Sequence, residues 1–311
     1  MATLSTLINL TLAAATPLLL TALGGLFSER GGVVNVGLEG IMTFGAFAAV
    51  ATTIATENPW LGLIAAMIAG MAIAALHAVV SISFRANQVV SGTAINILAS
   101  GLTAFLLTKF YGHGGESPPI PVRLPTLNIP LIKDIPFFGP ILGQQMVGVY
   151  LAFIALTVTH YVIYRTPLGL RIRAVGEHPR AADTMGVNVF AVRYLCVILS
   201  GVLAGLAGGI LSTGMTRTFV ENMVAGRGFI ALAAVIFGNW RPVGAMWACL
   251  LFGGADALQM LAQINNWNFV IIPRGLLVIV PYVLTMLALA GLVGRSTPPA
   301  ASGIPYEKSG K

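Results

Sequence analysis

Long apolar runs separated by short polar breaks make up the chain from end to end. Runs close to the roughly 20 residues that a helix needs to cross hydrocarbon fall at 7–27, 34–56, 60–83, 88–110, 145–164, 187–213, 225–240, 243–263 and 270–293. The pattern predicts an all-α, polytopic bundle, a single transmembrane domain over 1–311, with nine spans in a range of eight to ten. The seventh run is short and reads as a broken or tilted helix.

The breaks have characters of their own. Residues 111–143 hold seven prolines, among them "SPPIPVRLP". Proline at that density prevents a continuous helix and favours extended or turn structure, so an ordered or semi-ordered extracytoplasmic loop is expected there. Charge gathers instead in "RIRAVGEHPRAADTMGVNV" at 171–189. Pro167 and Gly169 should end the preceding helix. Pro179 suits the first turn of a new one, where its missing N–H costs nothing, and Gly186 suits its end. Arg180 and Asp183 are three apart, on neighbouring helix-surface positions.

Composition removes the soluble classes. Of 311 residues, 57% are hydrophobic and 9% charged, against roughly 25% charged in a soluble domain. The mean hydropathy is +0.88. The 36 glycines suit close helix packing in a bilayer. The net charge of +7 does not point to nucleic acid, because no basic run is interleaved with aromatics. Basic residues mark cytoplasmic loops, and arginine placement sets the orientation. Five arginines against two acids lie from Arg165 to Arg193; Arg85, Arg241 and a cytoplasmic tail over 295–311 are the other basic points. With these on the cytoplasmic side, the spans from the second to the ninth alternate correctly and the chain starts outside. Cys196 and Cys249 lie in apolar runs and read as small core residues. The N-terminus lacks a basic flank and reads as a retained helix rather than a signal peptide.

No catalytic constellation is visible. His77, His113, His160 and His178 are scattered, and G-x-S-x-G, H-E-x-x-H and G-x-x-x-x-G-K-[ST] are all missing. Without the last, the chain does not hydrolyse ATP through a P-loop. Glu39, Asp256 and Arg274 are the main charges deep in apolar runs. That is thin provision for an ion-coupled carrier, which stays open as an alternative.

Three stretches carry a family resemblance: "ERGGVVNVGLEGIMTFGAFAA" at 29–49, "TPLGLRIRAVGEHPRAADTMGVNV" at 166–189 and "GRGFIALAAVIFGNWRPVGAMWACLLFGGADAL" at 226–258. In order and spacing they resemble the permease subunits of bacterial ABC importers, in the branch for simple sugars, nucleosides and branched-chain amino acids. "SERGGVVNVGLEG" and the chain length are most similar to the shorter permease of nucleoside importers. The resemblance implies alternating access in the bacterial plasma (inner) membrane. It implies four further components: a second, longer permease, a cytoplasmic ABC ATPase that uses ATP and Mg, an extracytoplasmic solute-binding protein or lipoprotein, and the lipid bilayer. No cofactor is expected on this chain. The runner-up is a pentose-type sugar permease.

Under that resemblance 165–186 becomes a cytoplasmic coupling loop whose short helix docks in the ATPase, with Arg171, Arg173, Glu177, Pro179, Arg180 and Asp183 at the interface. The pathway candidates are Asn35, Glu39, Asn96 and Asp256. A carboxylate in hydrocarbon costs about 2.5–3.5 kcal/mol on insertion scales, so Glu39 should face protein or water. It either lines the route, pairs with Arg30, or caps a broken helix near Gly31-Gly32. Asn96 either bonds the solute or bridges helices. Asp256 either pairs within the bundle or faces the cavity. Trp240 reads as an interfacial anchor rather than a stacking platform. Phe219, Glu221 and Asn222 are candidates for binding-protein contact. Gly201, Gly205 and Gly209 share a helix face, for packing within the subunit or for a seam between permeases. "VVSGTAINILASG" from Val89 and "MVAGRGFIALAAV" from Met223 echo each other faintly, as the halves of transporters do.

Overall fold

The computed structural model describes residues 2–130, 139–264, 283 and 296–308. Its long helices are α1 (Ala2–Arg30), α2 (Leu38–Thr56), α3 (Pro59–Ala78), α4 (Gln88–Tyr111) and α5 (Val147–Arg165). They are followed by the short α6 (Pro167–Glu177) and α7 (Pro179–Thr184), then α8 (Val189–Ile210), α9 (Arg227–Phe237) and α10 (Pro242–Ile264). Among the described residues, seven helices are long and apolar enough to cross a membrane. The seventh expected run becomes α9, only 11 residues long. The ninth expected span, with Arg274, and Arg295 at the head of the tail lie outside the described residues.

Local chemistry sets the breaks. Asn58 caps α3 by accepting the Trp60 N–H at 2.9 Å, with Pro59 at the first helical position. Asn87 caps α4 through the Val89 and Val90 amides, and Asn188 caps α8 through the Ala191 amide. Each side-chain oxygen satisfies amides that a helix start leaves unpaired. Single π-helical turns extend α3 over Val79–Ser83 and α8 over Leu211–Thr216.

Helix α8 is the central post and packs on α1, α2 and α3. The contact uses small residues. A Cβ on Gly205 would lie 3.0 Å from the Gly70 Cα and collide with the Ala66 carbonyl of α3. Gly45 of α2 meets the Gly205 backbone, and Gly208 meets Met42. The glycine stripe of α8 therefore packs within this one chain, where backbones approach closely enough for dispersion to hold helices together in lipid. The outer helices are apolar on their exposed faces, as with Ile64 and Ile68 on α3 and Ile97 and Phe105 on α4. A soluble monomer does not carry such a surface.

The proline-rich segment is ordered through its described part. Ser117 and Phe219 exchange bonds, Ser117 N–H to the Phe219 carbonyl at 2.8 Å and Phe219 N–H to Ser117 Oγ at 2.9 Å. Thr126–Asn128 and Gln144–Met146 form a two-stranded antiparallel ribbon, with Leu127 opposite Gln145. At the other end of the bundle lie the C-terminal end of α1, the helices α6 and α7, the start of α8 and residues 296–308. The basic clusters gather at that end.

Candidate functional site

The break between α1 and α2 interrupts the helical ladder inside an apolar bundle: the Gly31, Gly32 and Val33 amides close the last turn of α1, and the ladder resumes at the Gly37 carbonyl. Irregular backbone at such depth persists only where other groups satisfy it. Here side chains do so. Ser28 Oγ donates to the Val33 carbonyl at 2.6 Å, and Gln88 Oε1 accepts the Val34 N–H at 2.7 Å. His77 Nε2 lies 3.2 Å from the Val34 carbonyl, while Nδ1 contacts Ser91 Oγ at 2.9 Å. Asn96 grips both sides of the α2 start: Nδ2 donates to the Val36 carbonyl at 3.1 Å and Oδ1 accepts the Gly40 N–H at 2.8 Å. Asn35 Nδ2 donates to Ser200 Oγ at 3.1 Å. Two polar atoms of this cage, Asn35 Oδ1 and Gln88 Nε2, are buried without a partner among the described residues.

Asn96 gives the depth. It lies eight residues after the start of α4, about 12 Å along it at the helical rise. At this level the head of α2 meets the head of α9. Glu39 Oε1 accepts the Gly226 N–H and Oε2 the Gly228 N–H, each at 2.7 Å. Gly226, the N-cap of α9, has φ +82°, a conformation that glycine adopts without a Cβ clash. The carboxylate thus sits where the helix dipole and unpaired amides favour negative charge. Arg227 interacts electrostatically with both Glu39 and Asp256, and its Nη1 donates to the Met223 and Val224 carbonyls. One cation therefore serves two carboxylates at membrane depth.

Glu39 does cap a broken helix, but the helix is α9. Its carboxylate is held at that head, while Arg30 Nε donates to the Trp240 carbonyl at 2.9 Å. Asn96 bridges helices with both ends of its amide. Asp256 lies within electrostatic reach of Arg227. Trp240 is buried, with its indole N–H on the Glu29 carboxylate, so it is no interfacial anchor. Phe219 is fully buried against Phe47, ring centroids 5.3 Å apart, so it is no docking residue. Glu221 accepts the Gly115 N–H at 2.8 Å and Asn222 accepts from Ser100 Oγ at 3.1 Å.

The charged loop differs from expectation in one respect. Pro167 does not merely end α5: it opens α6, one of whose first-turn amides, Gly169 N–H, is capped by Thr166 Oγ1 at 3.1 Å. Leu168, Ile172 and Val175 recur at i, i+4 and i+7, the amphipathic signal that marks this helix in the sequence. After it, α7 starts at Pro179 and the turn closes at Gly186, φ +81°. Arg171, Arg173 and Glu177 line an open groove of about 1000 Å³ between α6, α7 and the start of α8, beside exposed Leu170 and Met185. Arg173 also lies over the Tyr164 ring, 5.6 Å from its centroid. Pro179 and Arg180 line a second cavity of about 530 Å³ against residues 300–307. Asp183 acts electrostatically on the hydroxyl of Tyr306, which lines this cavity.

Several of these residues carry no motif. His77 and Ser81 are four apart on α3 and contact each other at 3.3 Å, a spacing that signals a shared face. Gln88, Arg227 and Ser200 have no comparable signal. Among the described residues, no group of three His, Cys, Asp or Glu side chains could hold a metal ion.

Comparison with known proteins agrees with this architecture. A family model described as "branched-chain amino acid transport system / permease component" matches residues 7–281. The guanosine ABC transporter permease protein NupQ of Bacillus subtilis is 45% identical, the alignment covering 98% of this chain and 97% of that protein. The nucleoside ABC transporter permease protein NupC of Lactococcus lactis is 43% identical over 95% and 94%. A putative glucose ABC transporter permease, TsgC13 of Haloferax volcanii, is 43% identical over 83% and 78%.

Proposed function

Because the chain belongs to the family of branched-chain amino acid transport system permease components, we propose that it is the membrane-spanning permease subunit of an ATP-binding cassette importer for nucleosides, working by alternating access. It is a multi-pass protein of the bacterial plasma (inner) membrane. One observation carries the transport reading: at membrane depth two helices begin head to head, joined by Glu39 on the Gly226 and Gly228 amides. Discontinuous helices with polar heads near the midplane are where transporters build solute routes. Nucleosides are favoured because two relatives that match nearly the whole chain are permeases for guanosine and for nucleosides.

In this reading ATP and Mg are used by a separate cytoplasmic ATPase, and a longer permease completes the pathway. An extracytoplasmic solute-binding protein or lipoprotein selects the solute, so this chain needs only modest affinity. The ATPase receives α6 and α7, with Arg171, Arg173, Glu177, Pro179, Arg180 and Asp183 at or near the contact. Its movement then reaches the heads of α2 and α9, where Asn35, Glu39, Asn96 and Asp256 border the route.

Two measurements test this. Vesicles holding the assembled complex should take up nucleosides only when ATP is supplied to the ATPase side. Uptake that survives without the ATPase and collapses with an ion gradient would instead identify a secondary carrier. Competition by pentoses or glucose but not by nucleosides would give the sugar reading, which the Haloferax relative favours. Second, reversing charge at both Arg173 and Arg180 should release the ATPase during purification; retained co-purification with full uptake would remove this surface from the interface.

A further inference from the structure

We propose that residues 297–307 form a latch, with Tyr306 as its positioning residue, that fastens the α6–α7 pair to the membrane bundle so that movement of the pair is passed to the spans. The inference rests on the reading of α6 and α7 as the ATPase contact and adds the element that makes the contact stiff.

The segment crosses the end of the bundle and is tied down at every step. Thr297 N–H donates to Asn239 Oδ1 at 3.1 Å. Ala300 N–H donates to Glu177 Oε2 at 3.2 Å, and Ala301 N–H to the Gly176 carbonyl at 2.9 Å. The last turn of α6 is thereby held from outside. From inside it rests on α1, since a Cβ on Gly176 would collide with the Arg30 carbonyl. Further on, Arg193 Nη1 donates to the Ile304 carbonyl at 3.0 Å. Tyr306 is buried, its ring 5.5 Å from that of Phe190 and 6.0 Å from the Arg193 guanidinium carbon. Its hydroxyl is within electrostatic reach of Asp183 on α7; burial first, and then that carboxylate, hold the phenol above its ordinary range, so the hydroxyl keeps its proton. Glu307 closes the path with a 2.9 Å ion pair to Arg85, just past α3.

Arg193 makes this more than a passive tail. It is a fully buried cation in the first turns of α8, and Nε and Nη2 have no partner among the described residues. A buried guanidinium with so few partners is costly, and the Ile304 carbonyl and the Tyr306 ring are the contacts that compensate it. Lifting the strap would leave that cation poorly paired. Through Tyr306 the strap therefore lies between Asp183 on α7 and Phe190 and Arg193 on α8.

The test uses the assembled complex in proteoliposomes, scoring ATPase co-purification, ATP hydrolysis and nucleoside uptake together. A chain ending at Thr297 should still bind the ATPase and still hydrolyse ATP, but with uptake per ATP reduced about tenfold, because ATPase closure then biases the membrane spans less. Tyr306→Phe keeps the packing and removes only the hydroxyl on which Asp183 acts. It should assemble normally and lower uptake per ATP about threefold, a smaller shift in the same equilibrium. Unchanged uptake per ATP in the tyrosine variant overturns the latch even if the truncated chain fails to fold. Loss of the ATPase from both variants also overturns it, because the strap would then be docking surface. Failure of the underlying interface reading looks different: charge reversal at Arg173 and Arg180 would leave assembly intact.

Discussion

Glu39 and Gly228 meet carboxylate to amide, Oε2 accepting the Gly228 N–H at 2.7 Å, and a Cβ on that glycine would lie 2.6 Å from the Glu39 Cα. The contact joins the first turn of α2 to the first turn of α9. It exists because one side supplies an acceptor with two oxygens and the other has no side chain in the way.

Glu39→Ala should therefore be severe. It strands the Gly226 and Gly228 amides in an apolar setting and leaves Arg227 with Asp256 alone, a loss of about 3 kcal/mol. Glu39→Gln keeps one acceptor and should cost about 1 kcal/mol, while nucleoside uptake falls in both. Cys196 and Cys249 are buried free thiols, so labelling by a thiol-reactive fluorophore on heating reports unfolding. Equal midpoints for the alanine variant and wild type would contradict the capping role.

Asn96→Leu preserves bulk but removes the partners of the Val36 carbonyl and the Gly40 N–H. A cost of about 2 kcal/mol is expected from the unpaired backbone groups. Asn96→Asp retains the acceptor for Gly40 and should lie between the two. If leucine proves neutral by the same thiol assay, the α2 head does not depend on this clamp.

Gly205→Ala should destabilise the single chain by roughly 1–3 kcal/mol through overpacking on α3, even when no other subunit is expressed. Gly101→Ala on α4 serves as the contrast: nothing lies within 4 Å of its added Cβ, so a change under about 1 kcal/mol, neutral or stabilising, is expected. Were Gly205→Ala to spare the isolated chain and damage only the assembled complex, the stripe would belong to a seam between subunits.

Some of this was open to reading without coordinates. The apolar runs set the positions of the seven long helices to within a few residues, because a span needs a continuous apolar length and little else. The shortness of the 225–240 run foretold α9. Pro179 and Gly186 marked the bounds of α7 through backbone geometry that those residues impose locally. The helix α6 is marked only by the spacing of Leu168, Ile172 and Val175, and Pro167 hides it, because a proline signals the end of one helix as readily as the first turn of the next.

The rest was decided by proximity in space. Glu39 was legible as a costly charge in need of company. That its company is the head of α9 depends on how α2 and α9 meet, 187 residues apart in sequence for Gly226. Asn96 was legible as polar and deep, and only the fold turned its amide onto the α2 backbone. Trp240 and Phe219 looked like surface residues by their position in short breaks, yet Glu29 and Phe47 bury them. The residues after 296 read as a basic tail, and the structure makes them a strap over Arg193 and α7. Composition and periodicity determine which segments must leave water, since that depends on each segment alone. Which polar groups satisfy one another at depth depends on which helices become neighbours, and only the packing of small residues along α8 settles that.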